Sequence, residues 1–151
     1  MKFHFRLQSL LNWKKNLEEC SQMRLAKKKV QLQAQEEEIT ELMTRRRENE
    51  ERLHDKVVRG IGLGEYLLHK EFDEDSFEDL LNKESQKERT QVEIEGERKV
   101  LTGFMKERKM LERLKEKGLK TFTGKMEKLE QKNADEMVLQ RRCSTGKREL
   151  R

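Results

Sequence analysis

Few residues in this chain have the types and spacing that chemistry requires. Histidines stand at His4, His54 and His69, with none of the short, regular ligand spacing that a zinc site needs. His54 and His69 would approach each other across a turn, but a pair of imidazoles without further ligands reads as surface histidine. The cysteines, Cys20 and Cys143, form neither a metal pair nor a disulfide framework, and reduced thiols are the expected state. Gly60-Ile61-Gly62-Leu63-Gly64 lacks the third glycine of a dinucleotide fingerprint. Glu65 stands there, and no strand precedes it. There is no phosphate loop of the GKS/T type. The carboxylates lie along extended charged stretches with no pocket to shift their pKa values. Aromatic residues do not interleave with the basic ones, which leaves stacking on single-stranded nucleic acid unsupported. The chain reads as non-enzymatic, with no cofactor and no metal.

What would position any surface is a pair of helices. The 151 residues are 43% charged, 32% hydrophobic and 5% aromatic, with no proline. Too little of this is apolar for a compact core, and the abundance of Glu, Lys, Arg, Gln and Leu favours long helix over disorder. Three of the eight glycines alternate at Gly60, Gly62 and Gly64. Together they forfeit about 3 kcal/mol of helix propensity, so they predict a turn between two helices rather than a kink in one. The expected fold is all-α, a long two-stranded antiparallel coiled-coil hairpin in one elongated domain spanning residues 1–151. The first helix covers about 6–59, the turn 60–64, a transitional segment 65–75, the second helix about 76–142, and a polar tail 143–151. Asp75 or Ser76 is the expected N-cap of the second helix.

The first helix carries one clear column at seven-residue spacing: Leu11, Leu25, Leu32, Ile39 and Leu53, interrupted by Glu18 and Arg46. Its companion column holds Leu7 and Leu42 among Lys14, Ser21, Lys28, Gln35 and Asn49. The second helix is expected to pack Phe77, Leu80, Ile94, Leu101, Met105, Leu119, Phe122, Met126 and Leu129, with an adjacent column at Val100, Phe104, Leu111 and Leu114. With the turn near residue 64, Leu7 falls opposite a residue near 121, and the second helix overhangs the first by about 20 residues. Phe122, Met126, Leu129 and Met137 then form an apolar stripe without a partner inside the hairpin, which predicts an external one. Phe3, Phe5 and Trp13 make the start more apolar than a two-helix seam needs. Either an interaction site or packing on the second helix accounts for them.

Net charge is +5, unevenly placed. Residues 1–60 hold 14 basic and 10 acidic side chains, residues 61–100 hold 6 and 12, and residues 101–151 hold 15 and 8. The expected hairpin is acidic at its turn and basic where the termini meet. The stretch 1–13 does not read as a signal peptide, and no run of about 18 apolar residues exists to span a membrane.

Phe3-His4-Phe5-Arg6-Leu7-Gln8-Ser9-Leu10-Leu11 resembles the usual start of the FliJ family, a small coiled-coil component of the bacterial flagellar export apparatus. Gly60-Ile61, followed by Tyr66 and Phe72, resembles that family's turn region. Leu129-Glu130-Gln131-Lys132-Asn133-Ala134-Asp135-Glu136, closing with Arg141-Arg142, is similar to its C-terminal signature. The resemblance covers the whole length. It implies a two-stranded antiparallel stalk like the central subunit of rotary ATPases. By resemblance, the end carrying the termini enters the ring of the flagellar export ATPase. Phe122, Met126 and Leu129 of the stripe, with Gln131, Lys132, Asp135 and Glu136 of the signature, are the implied ATPase-binding residues. The turn-proximal part, with Leu42 and Phe72 at apolar family positions, is implied to contact the membrane-embedded export gate. Arg45 and Asn49 stand where some relatives carry tyrosines. Escort chaperones of filament-tip proteins are further implied partners, and membrane association is indirect, at the cytoplasmic face of the cell membrane. Other readings are a scaffolding coiled-coil homodimer, the stalk of a virulence-type secretion system, and a nucleic-acid binder acting through its basic end.

Overall fold

The computed structural model describes residues 2–146. They form two helices, α1 (Gln8–Arg59) and α2 (Leu63–Gly146), and no strand. The two pack against each other as an all-α hairpin. By packing, residues up to Asn16 group with those from Phe104 onward, and Leu17–Gly103 form a second unit.

Helix α1 starts two residues later than the sequence suggested. The Phe5 carbonyl accepts from Gln8 N–H (3.1 Å), and the Leu7 carbonyl accepts the first helical bond from Leu11 N–H (2.9 Å). The chain leaves α1 at Gly60, whose φ of +93° is a left-handed conformation that a side chain disfavours. Gly62 then accepts from Tyr66 N–H (3.0 Å), which places it at the cap of α2. The turn is therefore three residues long, and Gly64 is already helical.

Residues 65–75, expected to be transitional, belong to α2. Tyr66, His69 and Asp73 are half-buried at alternating intervals of three and four residues, so the seam continues through them. Ser76 caps nothing. It is buried inside α2, and its hydroxyl donates back to the Asp73 carbonyl at 3.1 Å.

Within the unit 17–103, cross-helix ion pairs set the register. Arg24–Glu97 (3.5 Å), Lys28–Glu93, Glu38–Lys83 (2.8 Å) and Lys56–Glu65 join residues whose numbers fall by one helix as they rise by the other, the signature of antiparallel strands. Along α1 the side chains withdrawn from solvent fall at the expected seam positions from Leu11 onward, polar ones included: Leu11, Lys14, Glu18, Ser21, Leu25, Lys28, Leu32, Gln35, Ile39, Leu42, Arg46, Asn49 and Leu53. Leu7, also expected on the seam, precedes α1 and is 41% exposed.

Of the nine residues expected on the seam of α2, Leu80, Ile94, Leu101, Met105, Phe122 and Met126 are withdrawn from solvent, and Phe77, Leu119 and Leu129 are not. Leu80, Ile94 and Leu111 are buried, and Leu101, Phe104 and Phe122 half-buried, but Ser76, Lys83, Lys87, Thr90, Glu97, Arg108, Lys115 and Gly118 fill the positions between. Phe77 and Leu119 lie outside, 50% and 43% exposed. The polar members are accommodated by local partners. Thr90 donates to the Gln86 carbonyl (3.1 Å), and Lys83 and Lys87 extend their stems to Glu38 and Glu36. Arg46 in the α1 seam reaches Asp73 (3.1 Å) and lies 5.2 Å from the centre of the Phe77 ring, so Phe77 flanks the seam beneath a cation.

Candidate functional site

The unit built from the chain start and residues beyond 104 contains the stripe read from sequence. The segment before α1 lies along α2 rather than leaving it bare. The Phe3 ring meets Phe122 with centroids 5.8 Å apart and planes tilted by 51°. It also lies over Gly118, where an added Cβ would come within 3.4 Å of the ring. Phe122 thus has a partner inside the unit, contrary to the expectation from helix lengths alone. The missing element was a non-helical segment, which a count of helical residues does not include. Phe5 is also half-buried, so the surplus apolar residues of the start serve mainly as packing. Trp13 remains 54% exposed, with Lys14 held 4.9 Å from its ring centre and bonded to Glu107.

Past Met126 the cover ends. Met126 is half-buried and Leu129 is 49% exposed. Every residue of 127–142 is exposed, including Gln131, Lys132, Asp135 and Glu136, and with them Met137, Val138 and Leu139. An α-helix exposed on all sides carries no packing of its own, and its apolar side chains have burial still to gain.

In the unit 17–103, Leu42 and Phe72 occupy different environments. Leu42 is a half-buried seam residue and Phe72 is 40% exposed on α2. Asn49 joins the two helices, its amide donating to the His69 carbonyl (3.2 Å) and its oxygen meeting His69 Nδ1 at 2.5 Å. That bond engages the His69 ring. Arg45 pairs along its own helix with Glu41.

Sequence reasoning passed over Val57, Val58 and Leu63 beside the turn. Val57, Val58, Leu63, Leu67 and Leu68 are 49–75% exposed. Their signal was present, since apolar residues off the seam next to a turn have nothing to pack on. Across the turn Lys56 donates to Glu65, and this bond holds the Glu65 carboxyl below the ordinary glutamate range. Farther along, the hydrogen bond to Glu38 holds Lys83 above the ordinary lysine range. No described helix is long and apolar enough to cross a membrane.

Two antiparallel helices, a single heptad seam and exposed apolar ends define a coiled-coil hairpin. Over residues 2–147 the chain matches the family described as Flagellar FliJ protein, and it belongs to that family. Membership makes it a component of the flagellar export apparatus. No curated protein and no solved structure matches it significantly.

Proposed function

We propose that the chain is a non-enzymatic stalk of the export apparatus, working at the cytoplasmic face of the membrane. Its free stretch of α2 binds the ring of the export ATPase, its turn-proximal part contacts the export gate, and escort chaperones of filament-tip proteins dock on it. The observation that supports this best is the stretch 127–142, exposed on every side beyond the last half-buried position at Met126. Leu129, Met137, Val138 and Leu139 in water leave roughly 1.5–3 kcal/mol each available on burial. A hydrophobic sleeve would bury them, and Lys125, Lys128 and Lys132 would steer the helix towards acidic loops. Gln131, Lys132, Asp135 and Glu136 are polar rim residues in this reading.

The test is the double change Met126→Glu/Leu129→Glu. ATPase binding and stimulation should be lost, with circular dichroism and gate binding near wild type. Stimulation at the wild-type level would remove this stretch from the mechanism. Loss of a dimer by light scattering, with stimulation intact, would favour self-association through the same residues.

A further inference from the structure

Within residues 104–120, every acidic side chain is already engaged. Glu107 bonds Lys14 at 2.5 Å, Glu112 is shared by Arg108 (2.7 Å) and Lys15 (3.5 Å), and Glu116 bonds Lys120 at 2.8 Å. Lys115 is turned to Gln8 (2.8 Å). This leaves the side chains of Lys106, Lys109, Arg113 and Lys117 with no ion pair or hydrogen bond among the described residues. These four border one shallow groove on α2 whose floor is Met110 and Leu114, 57% and 48% exposed. The intervals 106, 110, 113 and 117 keep the groove on one helical face for about 16 Å, or three turns.

We propose that this face of α2 docks an acidic amphipathic helix of a protein partner. Four like charges in a row repel one another, and an anionic partner relieves that repulsion while supplying the missing counter-charges. The floor decides what kind of anion fits. Met110 and Leu114 are one turn apart, the spacing at which a ridge of a second helix seats, and they gain only against an apolar surface. A phosphate backbone would leave them facing charge. A lipid surface calls for a broader apolar face with larger anchors than these two side chains. The proposal does not rest on the ATPase or gate assignments, since residues 106–117 belong to neither.

The full chain is titrated with a fluorescent helical peptide carrying glutamates and leucines on one face. Its comparators are a scrambled peptide of identical composition, vesicles of phosphatidylcholine with phosphatidylglycerol, and a short DNA duplex. The amphipathic peptide should bind about tenfold more tightly than the scrambled one. Lys109→Glu/Arg113→Glu should weaken it by about tenfold or more, since attraction becomes repulsion. Met110→Ser should weaken it with little change in salt dependence. Lys27→Glu/Lys29→Glu, on α1 in the unit 17–103 and outside the groove, should leave it unchanged, and circular dichroism should match wild type throughout. Equal binding of both peptides, preferential binding of vesicles or duplex that the double change abolishes, or indifference of the amphipathic peptide to that change would each overturn the proposal.

Discussion

Two glycines four residues apart show how much the backbone angle of a single residue decides. At Gly60 the chain is in the left-handed region, where a Cβ is strained by about 1–2 kcal/mol whatever space surrounds it. At Gly64 the φ is negative, the residue is helical and an added Cβ meets open space. There alanine mainly reduces the freedom of the unfolded chain, a gain of about 0.4–1 kcal/mol. Gly60→Ala should therefore lower the urea midpoint and Gly64→Ala should raise it, read by circular dichroism. A gain from both substitutions would mean that the turn does not need its left-handed residue.

Between elements, charge supplements a thin seam. The Lys56–Glu65 bond ties the last turn of α1 to the first turn of α2, where the helix ends themselves favour a cation and an anion respectively. Glu65 has a lowered folded-state pKa, so the pair's contribution is complete above the ordinary glutamate range and is lost as pH falls through the lowered value. Lys83 has the opposite sign: its contribution is complete below the ordinary lysine range and is lost as pH rises through the raised value. Both pairs are exposed, so salt should weaken them. In an NMR titration, Lys56→Gln should shift the Glu65 midpoint upward, towards that of a free glutamate. An unchanged midpoint would show that the bond does not persist in solution. The polar seam positions have a second consequence. Ser21 is fully buried, and Ser76 and Thr90 nearly so, at places where leucine would pack more strongly. Such positions trade stability for a single register.

For the molecule as a whole, binding depends on which apolar residues the seam leaves outside. Leu42 and Phe72 were paired by resemblance, yet one belongs to the seam and the other to the surface. Phe72→Ala should reduce binding to the export gate while leaving the melting temperature close to wild type. Leu42→Ala should act mainly on melting, because it removes a seam side chain, with a cost of about 2 kcal/mol or more. Gate binding unaffected by Phe72→Ala would move the contact elsewhere, with the exposed residues bracketing the turn the next to test.

The helices, the break at Gly60 and the seam of α1 from Leu11 onward were legible in the sequence, because each follows from local rules. Proline is absent, glycines cluster once, and Leu11, Leu25, Leu32, Ile39 and Leu53 repeat every seven residues or a multiple of seven. The seam of α2 was legible at Leu80, Ile94, Leu101 and Phe122, but not at the polar positions between them. Other apolar residues of α2 fall on the flanks of the seam, and period is a property of one helix whereas phase depends on the partner. Only packing showed that Ser76 and Gly118 face inward while the neighbouring Phe77 and Leu119 do not. Packing likewise put Phe3 against Phe122, a contact between residues far apart in sequence. It also separated engaged from free charge. Composition counts lysines and glutamates, but only the paired geometry of Glu107, Glu112 and Glu116 leaves Lys106, Lys109, Arg113 and Lys117 without counter-charges.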